Sequence, residues 1–169
     1  QFVVPGGLVL TPLVAARGDG IRLDTNSVPS TYAGDYYTGT DATRYMLTAG
    51  IEARYPILMT TDNSSHIFEP IVQVYARPDE QLSGALPNED AQSFVFDASN
   101  LFERDKFSGF GRVEGGTRAN VGFRYTGNFD SGYTVRSVFG QSYQLAGKNS
   151  FATHDLVNVS ANSGLEQGR

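Results

Sequence analysis

Apolar and polar residues alternate along much of the chain with a period of two, which is the pattern of β-strands with two different faces. The clearest case is the segment 112–127, where arginine, glutamate and asparagine occupy one parity and valine, phenylalanine and tyrosine the other. The stretch Gly127 to Gly132 contains residues that favour turns, and a second alternating segment follows at 133–145. This pattern predicts a long hairpin with one charged face and one apolar face.

Further alternating segments lie near 8–23, 43–56 and 66–77, so the chain has about five long strands in all. Short connections are expected at 56–65 and between the last two strands, and Ser93 to Asp97 is expected to form a short strand. The long polar connections, which we expect to be outer loops, are 24–42, 78–111 and 146–169. The fold class that this predicts is all-β, with antiparallel up-and-down strands.

The charged face is not expected to form a dry core, because unpaired buried charge is too costly, so we expect it to meet water. The apolar face then meets either a second sheet, as in a soluble sandwich, or lipid, as in an outer-membrane barrel. Long strands and alternating long and short connections favour the barrel. We therefore predict a fragment of a transmembrane outer-membrane β-barrel, with a soluble carbohydrate-binding β-sandwich as the alternative.

Composition narrows the function only by exclusion. The chain has 169 residues, a net charge of -5 and no cysteine, which excludes disulfides and argues against nucleic acid as a partner. No apolar run is long enough for a transmembrane helix. The chain starts at Gln1 without methionine and ends abruptly at Arg169, so we expect residues 1–169 to be a single fragment of a longer protein.

No catalytic chemistry is evident. His66 and His154 lie in sequence typical of turns or loops and lack convincing partners, so we predict solvated loop histidines. The glycines from Gly109 to Gly115 do not have the GxGxxG spacing of a dinucleotide site. We therefore expect no catalytic residue, no metal and no cofactor, and a protein that is not an enzyme.

The best functional candidate is a row of charged residues on the polar face. Arginine suits the binding of anionic sugars and phosphates through its planar donors, although mutual salt bridges and water would explain the same row. The candidate lumen-lining residues are Arg44, Glu52, Arg54, Glu69, Arg77, Arg112, Glu114, Arg118, Arg124 and Arg136.

Several motifs, in order along 67–145, resemble the LptD family of lipopolysaccharide-assembly proteins. They are IFEPIVQVY at 67–75, the segment from Leu86 to Phe102, RDKFSGFGRVEGG at 104–116 and GQSY at 140–143. They are similar to the family's "LEP…Q" strand, the loop that follows it, its "rfsGyDRvE" segment and its "GQxY" strand. Gly111 stands where the family pattern suggests aspartate, so any salt bridge made by that aspartate is missing here.

The resemblance implies an outer-membrane component that inserts lipopolysaccharide into the outer leaflet, in the cell outer membrane of a Gram-negative bacterium. The partners that it implies are lipopolysaccharide, outer-membrane lipid, an LptE-like plug lipoprotein, and periplasmic lipopolysaccharide bridge proteins reached through an N-terminal domain outside this chain. A general or substrate-specific porin is the alternative, because it would show the same barrel pattern with a different cargo.

Overall fold

The computed structural model describes residues 1–22, 41–82, 86, 100–107 and 109–152. Within these residues, seven strands form one antiparallel sheet, and a 3₁₀ turn follows at Ser150–Ala152. The strands are β1 (Phe2–Val3), β2 (Val9–Arg22), β3 (Asp41–Arg54), β4 (Ile57–Thr61), β5 (Ser64–Ala76), β6 (Thr117–Phe129) and β7 (Thr134–Ala146). No helix among these residues is long and apolar enough to cross a membrane.

The strands pair in the order β1-β2-β3-β5-β6-β7, with β4 on the same edge of β5 as β3. Consecutive long strands are neighbours throughout, so the predicted all-β, up-and-down fold is confirmed. Long connections leave one end of the sheet, and the turns at 4–8, 62–63 and 130–133 lie at the other, which we call the short-turn end. The predicted strand at 93–97, His154 and most of 24–42 and 146–169 lie outside the described residues.

The prediction of a short connection at 56–65 is wrong, because most of these residues form strands. β4 continues β3 in the same register on β5, since Arg54 is opposite Ile71 and Ile57 is opposite Phe68. Only the two-residue stretch 62–63 turns the chain between β4 and β5. The ladder is interrupted at the pair of Tyr55 and Pro70, because Pro70 has no amide hydrogen to donate to the Tyr55 carbonyl.

The prediction of a strand at 112–127 places the start of that strand too early. β6 starts at Thr117, and Gly116 before it has a φ of 77°, in the left-handed region that ends regular pairing. Arg112 and Glu114 therefore lie in the connection that precedes the strand. The alternation of residue types continues through that connection, which is why it was not distinguishable from strand in the sequence.

The two faces of the sheet have the reverse of the usual polarity. The outer face exposes large apolar side chains, among them Val14 (82% exposed), Leu47 (57%) and Phe139 (59%). The inner face buries polar ones, such as Gln73 (1% exposed) and Asn120 (0%). The described strands form a single sheet, and they include no second sheet of the kind that the sandwich alternative needs on the apolar face.

Residues 100–107 and 109–116, which we call the inner segment, cover the inner face on the half away from the short-turn end. Leu101, Phe107 and Val113 of this segment are buried. The expectation that the polar face meets water is therefore wrong for that half. A folded segment takes the place of water there, and it supplies charged partners of its own.

Substituting adjacent aliphatic residues of β2 tests the assignment of the faces. Val14 is on the outer face, whereas Leu13 is half-buried on the inner face beside a cavity of about 390 Å³ that Glu52 and Glu103 also line. We expect Val14→Lys to lower the free energy of unfolding by about 2–4 kcal/mol in a bilayer, because lysine there meets hydrocarbon. Leu13→Lys is the matched control: its ammonium group would enter the cavity beside water, two glutamates and Arg104, and the loss in the free energy of unfolding should be clearly smaller. Denaturant unfolding of the protein in bilayers measures both, and equal losses would contradict the assignment.

Candidate functional site on the inner face

A ladder of hydrogen-bonded side chains crosses the inner face at one level of the sheet. Gln73 Nε2 donates to Glu52 Oε2 (2.6 Å), and Asn120 Nδ2 donates to Gln73 Oε1 (2.9 Å). Ser142 Oγ then donates to Asn120 Oδ1 (2.6 Å). These residues are cross-strand neighbours in the register of β3, β5, β6 and β7, so the pairing of the strands itself brings them together. The ladder satisfies polar groups that would otherwise be costly to bury.

Glu114 of the inner segment is the centre of a buried charge cluster. Its carboxylate lies 2.9 Å from Arg118 Nε, 3.4 Å from Arg77 Nη1 and 3.7 Å from Lys106 Nζ. The four side chains are at most 4% exposed. Lys106 also donates its backbone N–H to Glu114 Oε2 (3.2 Å). Because Arg77 follows β5 and Arg118 belongs to β6, this carboxylate ties the inner segment to two strands.

A second cluster surrounds Arg44 near the long connections. Its guanidinium pairs with Asp19 Oδ2 (2.7 Å) on β2 and with Glu80 Oε1 (3.1 Å). It also donates to the carbonyl oxygens of Phe110 (2.6 Å) and Gly111 (3.0 Å). Gly111 is the position where the family pattern suggests aspartate. Here its backbone carbonyl contacts the arginine, while Asp19 and Glu80 supply the negative charge.

Backbone and aromatic contacts join the inner segment to the residues that follow β7. Arg112 Nη2 donates to the carbonyl of Ser150, and Gly115 N donates to Ser150 Oγ (2.9 Å). The guanidinium of Arg112 lies 4.5 Å from the ring centroid of Phe107, which packs on Phe151 at 4.8 Å. These contacts fix the end of the segment that precedes β6.

Apolar residues anchor the other end of the inner segment. Leu101 and Phe102 form a buried cluster with Ile71 of β5, and Val138 of β7 packs against it. Leu101 lies over Gly140, where an added Cβ would come within 2.8 Å of Leu101 Cδ2. The glycine therefore leaves the space that the leucine fills.

The charged residues near the short-turn end are more open. Glu69 lies between Arg124 Nη1 (3.6 Å) and Arg54 Nη1 (3.9 Å), and Arg54 Nε also pairs with Glu52 (2.9 Å). The side chain of Arg124 is 46% exposed, and Arg136 is exposed as well. This group therefore remains accessible where the inner segment ends.

Burial changes the pKa of two neighbouring residues in the inner segment. It raises the pKa of Asp105, although the Phe107 N–H donates to its carboxylate (3.1 Å). It also lowers the pKa of Lys106, against the opposing effect of the Glu114 carboxylate. The neutral forms of both groups are therefore favoured more than they are in water.

The structure brings nine of the ten candidate residues into three charged groups on or beside the inner face, while Arg112 contacts Ser150 and Phe107. Sequence reasoning missed Asp19, Glu80 and Lys106, which complete the buried clusters. Asp19 and Arg17 form an ion pair and lie two residues apart in β2, so their side chains are on the same face. The expectation that the charged residues of each strand share one face would therefore have identified Asp19 as a candidate. Glu80 and Lys106 lie in a connection without periodicity and gave no such signal.

The prediction for His66 is wrong. The residue lies in β5 and is half-buried rather than in a solvated loop. Its ring nitrogens are 2.8 Å from Ser64 Oγ and 2.9 Å from Tyr125 Oη, and its ring packs edge-on against Phe129. These residues place an aromatic and polar cluster near the short-turn end of the sheet.

A sheet with an exposed apolar face and a covered charged face has the polarity of an outer-membrane β-barrel wall. No curated protein matches the chain. The model of the LptD family, described as LPS transport system D, matches residues 1–169. The chain therefore belongs to the LptD family, whose members are outer-membrane proteins of Gram-negative bacteria involved in lipopolysaccharide transport.

Removing the charge at the centre of the buried cluster should release the inner segment. We expect Glu114→Gln to lower the free energy of unfolding by about 3–5 kcal/mol, because it leaves buried cations without their carboxylate. Trypsin should then cleave after Arg104 and Lys106 more readily in the refolded protein. Glu103→Gln is the matched control, since Glu103 is exposed and should change stability by less than about 0.5 kcal/mol. Similar digestion of both variants would contradict the central role of Glu114.

The buried carboxyl of Asp105 should make the docking of the inner segment depend on pH. Its folded-state pKa is raised from the ordinary 3.8, so the folded state binds the extra proton, and stability falls as the pH rises through that raised pKa. We expect Asp105→Asn to stabilise the protein at neutral pH and to remove this dependence, while Asn Oδ1 still accepts from Phe107. Denaturant unfolding over a pH series measures the effect, and an unchanged profile would argue against it.

Proposed function

We propose that this chain forms part of the wall of an outer-membrane barrel that inserts lipopolysaccharide into the outer leaflet. The observation that carries the proposal is the reversed polarity of the sheet in a member of the LptD family. An exposed apolar face suits lipid, and a charged inner face suits a polar lumen. The long connections would then face the cell exterior and the short-turn end the periplasm, as in other outer-membrane barrels.

The lumen of such a barrel would take the anionic sugar portion of lipopolysaccharide while the lipid portion leaves sideways into the membrane. The exposed arginines of the inner face, Arg124 and Arg136, support this proposal, because arginine binds phosphate and sugar oxygens through planar donors. The role of the chain is translocation, with no chemical step. Lipopolysaccharide and outer-membrane lipid would be its direct contacts.

Two protein partners follow from the proposal. An LptE-like plug lipoprotein would occupy the lumen, and periplasmic bridge proteins would deliver lipopolysaccharide to an N-terminal domain outside residues 1–169. The open residues near the short-turn end support delivery from that side, because they are the part of the charged inner face that the inner segment leaves accessible.

Depletion of the parent protein in its host tests the proposal. Newly made lipopolysaccharide should stop reaching the cell surface, as measured by labelling intact cells with an impermeant reagent, and should accumulate inside. Re-expression of the wild-type gene should restore labelling. Normal arrival of lipopolysaccharide together with reduced uptake of small solutes would instead identify a porin and overturn the proposal.

A further inference from the structure

The inner segment divides the charged inner face into a covered part and an open part. The side chains of Arg44, Arg77, Glu114 and Arg118 are at most 4% exposed, and each has charged partners within the sheet or the segment. For cargo to reach them, the Glu114 cluster and the apolar anchor at Leu101 would both have to separate. Their contacts extend from the level of Arg118 to that of Arg124, about 20 Å along β6 at ~3.3 Å per residue. The covered charges therefore serve to hold the segment in place.

The open part is a patch near the short-turn end that contains three arginines, Arg54, Arg124 and Arg136, and two carboxylates, Glu52 and Glu69. Arg124 is opposite Glu69 and Val138, while Arg136 is opposite Thr126, so Arg124 and Arg136 are diagonal neighbours on adjacent strands. Diagonal neighbours on one face lie about 7–8 Å apart, within the combined reach of two guanidinium groups. Arg54 completes the patch from the far side of Glu69.

The net positive charge of this patch favours the binding of an anion. Arg54, Arg124 and Arg136 carry three positive charges, whereas the carboxylates that pair with them are Glu52 and Glu69. Among the described residues, no ion pair involves Arg136. The Phe102 ring lies 5.4 Å from the Arg124 guanidinium and helps to hold that group in position. Exposed guanidinium groups with spare donors suit phosphate oxygens, which they bind in a bidentate manner.

We infer that the patch of Arg54, Arg124 and Arg136 contacts the phosphorylated saccharide of lipopolysaccharide, and that the inner segment stays in place while it does so. This inference rests on the proposed function. Of the ten candidate residues, only this small group would contact cargo. The buried arginines would instead hold the inner segment on the sheet. The patch lies toward the proposed periplasmic end, so it would be an early contact of the incoming cargo.

Site-specific photo-crosslinking in the full-length protein tests the inference. A benzophenone amino acid at position 124 or 136 should form adducts with lipopolysaccharide in living cells. The same amino acid in place of Phe107, a buried aromatic residue of the inner segment, is the matched control and should form none. Adducts at position 107, or no adducts at 124 and 136, would overturn the inference. The depletion experiment tests the proposed function, and the crosslinking experiment tests which residues contact lipopolysaccharide. Failure of one can therefore be distinguished from failure of the other.

Removal of the charge tests the phosphate contact. Arg124→Gln combined with Arg136→Gln should slow the arrival of lipopolysaccharide at the surface by roughly tenfold, which is the size of effect expected for lost hydrogen bonds to charged groups. Glu103→Gln should leave the rate unchanged. In proteoliposomes, enzymatic removal of phosphate from lipopolysaccharide should reduce crosslinking at position 124 by a similar factor. Equal crosslinking of the two forms would show that the patch does not recognise phosphate.

Discussion

The architecture of the inner face depends on one buried carboxylate. Glu114 is fully buried and contacts Arg77, Lys106 and Arg118, which come from two parts of the sheet and from the inner segment itself. A buried charge without partners is strongly unfavourable, so these groups are stable only when they are together. The position of the inner segment on the sheet is therefore determined by charge, and the contacts of Leu101 and Phe102 add to it at the other end.

The polarity of the sheet explains why polar contacts have this role. In a water-soluble protein, the apolar face would be buried and would drive the packing of the layers. Here the apolar face is exposed, so burial within the described structure occurs mainly on the polar side. That side consequently needs hydrogen bonds and ion pairs for nearly every buried group, and the ladder from Glu52 to Ser142 supplies them across four strands.

The strands were predictable and the inner segment was not. Alternation with a period of two depends only on local sequence, and it located the long strands and the correct face of Arg44, Glu69 and Arg118. The segment has no regular period, and its position depends on contacts with residues far away in sequence. Arg112 and Glu114 continue the alternation of polar and apolar residues found in β6, so the sequence placed them in that strand. The left-handed conformation of Gly116 separates them from it. Charges show that a face is polar, but they do not show what covers it.

The interruption between β3 and β4 has a mechanical consequence for the wall. An antiparallel pair of this type normally exchanges two hydrogen bonds, but Tyr55 and Pro70 keep only the one from Tyr55 N to the Pro70 carbonyl (3.1 Å). The sheet therefore has a crease along which neighbouring strands resist bending less than they do elsewhere. A closed wall with such a crease can take an oval outline with its sharpest curvature there, so Pro70 would influence the shape of the whole ring.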